Sequence, residues 1–182
     1  MRTALRDALL EIKEKEDGLY LIVGDIGFGV FEEFAEKYQE DYLNIGICEA
    51  NMIGVSSGMA MNGFIPLVYT IVPFLTMRCY EQIRVDLAMH NQKVILIGVG
   101  GGLAYGSLGP THHSFEDIVL MSMLPNFQVF APSQPNEGKA CLDLALSHDG
   151  PSYIRLGKNG EPDLSQHLLS EQGGTKIYCN EP

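Results

Sequence analysis

Short, uninterrupted apolar runs recur along this chain, separated by longer segments with helical spacing. Leu-Tyr-Leu-Ile-Val-Gly (19–24) and Lys-Val-Ile-Leu-Ile-Gly-Val (93–99) are the clearest runs, and residues 42–47, 65–69, 127–131 and 152–156 form shorter ones. Runs without polar alternation suit strands buried on both faces. Pro66 lies near the start of its run, where a missing N–H is tolerated. The intervening segments predict helices over 2–15, 28–38, 49–61, 73–91, 115–123 and 136–147. The first is amphipathic. The third is rich in small residues (Gly54, Ser56, Ser57, Gly58, Ala60) and can pack closely. Pro73 opens the fourth, as proline prefers in a first turn. Ser114 reads as the N-cap of the fifth, with His113 beside it.

Strands separated by helices pair in parallel. The expected fold class is therefore α/β, a three-layer, doubly wound, mainly parallel sheet flanked by helices. In such sheets ligands collect beyond the carboxyl ends of the strands. Glu49, the glycine-rich loop carrying His112, and the 155–160 loop all follow strands, so all three can share one rim. One domain is expected over 1–160. Residues 161–182 read as a linker leading elsewhere, or as a short extra strand near 175–179.

Composition narrows the function classes. A chain of 182 residues with 46% hydrophobic and 19% charged residues fits one globular domain. The formal net charge of −11 argues against nucleic acid, whose binding needs clustered Lys and Arg. No apolar run is long enough for a membrane span, and the first residues mix charges with leucines, unlike a signal peptide. A cytoplasmic protein is expected. The four cysteines, Cys48, Cys79, Cys141 and Cys179, contain no Cys-x-x-Cys pair and suit reduced thiols. No metal site is expected within the chain, because the adjacent His112 and His113 lack further ligands at suitable spacing.

Three side chains at the shared rim carry candidate chemistry. Glu49 stands where an apolar run turns into the small-residue helix. It can simply complement the helix dipole, or, poorly solvated, share a proton with a ring nitrogen. His112, in a loop fixed by Gly109 and Pro110, can exchange protons or donate to a developing oxyanion. Phe74 is either core or a stacking surface for a flat heterocycle. The glycine-rich loop ending at Gly109 has no Gly-Lys-Ser/Thr and is not a P-loop.

Seven motifs in order give these positions a common context. They are Asn-Ile-Gly-Ile-Cys-Glu-Ala-Asn-Met (44–52), Gly-Met-Ala-Met-Asn-Gly-Phe-Ile-Pro (58–66), Phe74 with Arg-Cys-Tyr-Glu-Gln-Ile-Arg (78–84), Gly-Pro-Thr-His-His-Ser-Phe-Glu-Asp-Ile (109–118), Leu-Pro-Asn (124–126), Ala-Pro-Ser-Gln-Pro-Asn-Glu (131–137) and Asp-Gly-Pro-Ser-Tyr-Ile-Arg-Leu-Gly (149–157). With them, residues 1 to about 160 resemble the pyrimidine-binding domain of transketolase-like, thiamine-diphosphate-dependent enzymes, and among these the C-terminal subunit of split transketolases. The resemblance implies that Glu49 hydrogen-bonds the aminopyrimidine of thiamine diphosphate and promotes proton removal from its thiazolium carbon. It implies that Phe74 stacks on the aminopyrimidine, with Ile71 where a second family aromatic stands. It implies that His112 contacts substrate hydroxyls, and that Lys158 falls near an Arg used for the sugar phosphate. The implied reaction is transfer of a two-carbon ketol unit between sugars.

Departures from the family pattern set further expectations, and the resemblance implies that residues 161–182 are a linker or tail towards a missing C-terminal domain. Leu108 stands where the family has an acidic residue, and Gly100 to Gly102 where it has a histidine. A non-standard sugar or sugar phosphate is therefore expected. The Gly-Asp-Gly motif of the diphosphate-binding domain is not matched, since Ile26 follows Gly24-Asp25. Mg²⁺ and the diphosphate are expected to sit on a partner domain or subunit, in a homo-oligomer such as a dimer. Such a chain is a piece or one subunit of the enzyme, inactive alone. The alternatives are a deoxyxylulose-phosphate synthase or 2-oxoacid dehydrogenase beta-type domain, a non-catalytic assembly module of the same fold, or a plain flavodoxin-like binding domain.

Overall fold

The computed structural model describes residues 1–159, 161 and 178–179. Six parallel strands form the sheet, in the order β2-β1-β3-β4-β6-β5: β1 (Leu19–Val23), β2 (Tyr42–Asn44), β3 (Ile65–Ile71), β4 (Ile95–Val99), β5 (Gln128–Phe130) and β6 (Ser152–Leu156). The residue pair β7 (Tyr178–Cys179) lies antiparallel to β5, opposite Gln128 and Val129. It falls in the segment expected to hold a tail or extra strand, most of which lies outside the described residues.

The apolar runs are continuous because helices cover both faces of the sheet. Leu19, Leu21 and Val23 pack with Leu67, Tyr69, Ile95 and Ile97 under α1 (Arg2–Lys13), α2 (Glu32–Lys37) and α7 (Pro135–Ser147). Ile22, Val68, Leu96, Val129 and Tyr153 face the other way. They meet α3 (Glu49–Met61), α4 (Val72–Thr76), α5 (Tyr80–Gln82) with the π-helical turn Ile83–Met89 behind it, and α6 (Asp117–Ser122). Alternate residues of each strand thus feed two separate cores.

The single helix expected over 73–91 is interrupted. The N–H groups of Met77 and Arg78 both bond to the Pro73 carbonyl. The Cys79 thiol donates to the Phe74 carbonyl, and the chain restarts at Tyr80. Beyond it the π-helical turn leaves carbonyls to be satisfied by side chains. Ser57 of α3 donates to Asp86 O at 3.0 Å and Asn126 to Ala88 O at 3.1 Å.

Other elements are shorter than expected. β2 stops at Asn44, not residue 47, because the Asn44 side chain accepts from Gly46 N–H and Gly46 turns with φ +81°. α2 begins at Glu32 rather than 28, after Gly27 and Gly29 take positive φ. Ser114 is not an N-cap: its hydroxyl bonds the Asp117 carboxylate, its backbone bridges Gly102, and α6 starts at Asp117.

Candidate active site

Asp25 is held at φ +52° just beyond β1, and its N–H and carboxylate both bond the Asn44 side chain, each at 3.1 Å. Asn44 also holds Gly46 N–H. This clamp ties the ends of β1 and β2 together, and α3 follows after only four residues. Gly24-Asp25, which does not complete a diphosphate motif, is therefore a structural clasp. Glu49 opens α3 and is only 2% exposed. A Cβ on Gly24 would lie 3.7 Å from Glu49 Cγ and 3.2 Å from Thr70 Oγ1, so a larger residue there would crowd the carboxylate.

One oxygen of this buried carboxylate is paired. Arg78 Nη1 donates to Glu49 Oε2 at 2.8 Å, although the Arg78 side chain is 47% exposed. The same guanidinium lies over the Phe74 ring, its carbon 4.2 Å from the centroid. Phe74 lies in α4, just beyond the end of β3, and its ring meets His112 edge-on at 5.0 Å. Ile71, which stands where the family has its second aromatic, packs against the core on the α1 side of the sheet.

The loop after β4 brings His112 to this place. Gly100 turns at φ +82°, and a Cβ there would lie 2.1 Å from the Tyr105 ring. Tyr105 in turn contacts His112 at 5.5 Å. His113 Nε2 bonds the Gly106 carbonyl at 2.9 Å and pins the loop on itself. Thr111 Oγ1 lies 3.0 Å from His112 Nδ1. With the hydroxyl donating, the ring proton resides on Nε2.

Beneath the loop is a buried polar cluster. Asp117, fully buried, accepts from Ser114 at 3.0 Å and from the Tyr153 hydroxyl at 2.8 Å, and pairs with Arg155 Nε at 3.3 Å. Arg155 also donates to Ser114 O and leaves no room for a side chain at Gly101. Burial first, and then the carboxylate, push the Tyr153 phenol well above its ordinary range. A cavity of about 320 Å³ opens beside Arg155, lined by Gly101, Ala131, Pro132, Leu156 and Gly157. Lys158 follows it beyond the end of β6 and lies over the Tyr105 ring at 4.8 Å.

All four residues singled out in the sequence therefore join one series of contacts: Glu49, Arg78, Phe74, His112, Tyr105, Lys158. Arg78 and Tyr105 are its members that sequence reasoning passed over. Arg78 was visible only as part of a motif. Leu108 is exposed on the turn Gly106–Leu108, and Gly100 and Gly101 pack on Tyr105 and Arg155. No group of three or more His, Cys, Asp or Glu suited to a metal occurs among the described residues. None of the described helices is long and apolar enough to cross a membrane.

Comparison with known proteins relates the chain as a whole to one family. The family model described as "Transketolase, pyrimidine binding domain" matches residues 1–161. An apulose-4-phosphate transketolase subunit of Actinobacillus succinogenes is 38% identical over 131 residues, covering 72% of this chain and 42% of that protein. The 6-deoxy-6-sulfo-D-fructose transketolase subunit of Clostridium sp. is 30% identical over 184 residues, covering 96% of this chain and 57% of that protein. A solved structure titled "Split gene transketolase, inactive beta4 tetramer" superposes with a TM-score of 0.80 at 32% identity, covering 90% of this chain and 52% of that one. This chain spans about half the length of these three relatives.

Proposed function

Because this chain belongs to the transketolase pyrimidine-binding family, we propose that it forms the aminopyrimidine half of a thiamine-diphosphate site in a two-carbon ketol transferase. The carrying observation is the unbroken series of contacts from the buried Glu49 to Lys158 along one strand-end rim. Glu49 and the Phe74 face already accept one planar nitrogen group, the Arg78 guanidinium, which supports a flat, N–H-bearing heterocycle as their ligand. When bound, thiamine diphosphate supplies the thiazolium carbon acid that carries the ketol unit.

The residues of this chain divide the remaining work. Glu49 accepts a hydrogen bond from the heterocycle edge in a water-poor setting, where that bond is strengthened. Its carboxyl is placed to share a proton with a ring nitrogen, as general acid–base chemistry requires. Phe74 offers one face for stacking. His112, oriented by Thr111 and by the Phe74 and Tyr105 rings, exchanges a proton with a sugar hydroxyl through Nε2. Lys158 attracts an anionic sugar end. Mg²⁺ and the diphosphate are held by a separate diphosphate-binding subunit or domain, in an assembly containing at least two copies of each.

The names of two relatives carry sugars with a phosphate and a sulfo group. Together with Leu108 and the glycines at 100–102, they support an anionic ketose other than the ordinary pentose phosphates as the substrate class. Glu49→Gln in the complex with the diphosphate-binding subunit is expected to lower ketol transfer at least about a hundredfold. A variant as active as the unaltered complex rules the proposal out. Turnover of xylulose 5-phosphate with ribose 5-phosphate at an ordinary transketolase rate would refute the substrate class alone.

A further inference from the structure

Arg78 makes two contacts at once. An edge nitrogen donates to Glu49 Oε2 at 2.8 Å, and the flat guanidinium lies over the Phe74 ring at 4.2 Å. A delocalised planar cation is suited to both an edge-on carboxylate and an aromatic face. Those are the two contacts assigned above to the aminopyrimidine: edge to Glu49, face to Phe74. A heterocycle that takes the same carboxylate oxygen and the same ring face requires the guanidinium to leave.

We infer that Arg78 is a resident placeholder for the cofactor's heterocycle, filling the seat between Glu49 and Phe74 and leaving it when the cofactor enters. The inference rests on the aminopyrimidine reading of this pocket. Its physical basis is the cost of an unpaired, buried charge. Glu49 is 2% exposed, so an empty seat would leave its carboxylate without this counter-charge. Arg78, by contrast, is 47% exposed and lies within the break between α4 and α5. Its side chain can move to solvent without dismantling a packed core. A competitor that occupies the seat most of the time lowers apparent affinity in proportion to the fraction of open pockets.

The test uses the 182-residue chain itself, with two small probes: guanidinium ion and 4-amino-2-methylpyrimidine, at millimolar concentrations. Binding is followed by two-dimensional NMR and by the thermal midpoint. The unaltered chain, Arg78→Ala, and Glu49→Gln combined with Arg78→Ala are compared. The double variant removes both charges and guards against misfolding caused by a lone carboxylate. The expected result is that Arg78→Ala binds both probes at least tenfold more tightly than the unaltered chain, regains thermal stability with guanidinium, and loses both responses when Glu49 is also changed.

Equal aminopyrimidine binding by the unaltered chain and Arg78→Ala would overturn the placeholder while leaving the aminopyrimidine reading standing. Guanidinium rescue without any aminopyrimidine binding would overturn the proposal through the reading beneath it. Binding of neither probe by a folded Arg78→Ala would show that no such seat exists.

Discussion

At the scale of single residues, two carboxylates do different things because their surroundings differ. Glu49 faces a half-exposed cation at a rim. Asp117 is fully buried and is held by a serine, a tyrosine and an arginine. Asp117→Asn would turn an N–H₂ towards the donors Tyr153 and Arg155. The variant is expected to lose about 3 kcal/mol of stability, the scale of breaking a buried charge pair, measured by urea unfolding. Glu49, Phe74 and His112 were legible in the sequence because each is a chemically distinctive side chain placed beyond a recognisable strand. Asp117 was passed over because Ser114-Phe-Glu-Asp reads equally well as a helix start. Only the fold shows that Tyr153 and Arg155 converge on it from β6.

At the scale of elements, all six parallel strands and the alternating helices were readable from the apolar runs. Doubly covered strands leave no polar alternation to confuse. The break at 77–79 was not readable. Residues 73–91 keep helical spacing throughout, and the interruption comes from two N–H groups sharing the Pro73 carbonyl and from the Cys79 thiol bonding to Phe74. Those contacts depend on the packed neighbours, not on propensity. Close packing also limits β4. A Cβ at Gly98 would lie 2.8 Å from the Tyr153 hydroxyl and 3.0 Å from Val72 Cγ2. Gly98→Ala is expected to cost about 1–3 kcal/mol through overpacking, seen as a lowered thermal midpoint.

At the scale of the whole molecule, burial of thiols makes stability depend on alkalinity. Burial above all, then the nearby Glu49 charge, pushes Cys79 up to about 12, against a smaller opposing effect of Arg78. Burial, then Glu137, pushes Cys141 up to about 11. Each thiol is raised in the folded state, so the unfolded chain loses its protons first as pH rises. The stabilisation is intact below about pH 9 and declines from there towards pH 11 for Cys141 and pH 12 for Cys79, by at most about 1.4 kcal/mol per pH unit for each thiol. Denaturant midpoints measured between pH 7 and 10.5 should fall over that window, with a shallower slope in Cys141→Ala. A flat profile would contradict the burial of both thiols.

The outermost parallel strand, β2, is only three residues long, and the acidic turn Gln39–Asp41 runs straight into it. A foreign strand laid along that margin would gain few main-chain bonds and would meet the exposed Glu40 beside it. Lateral polymerisation through this border is thereby discouraged, which steers self-association towards the helix-covered faces and the rim.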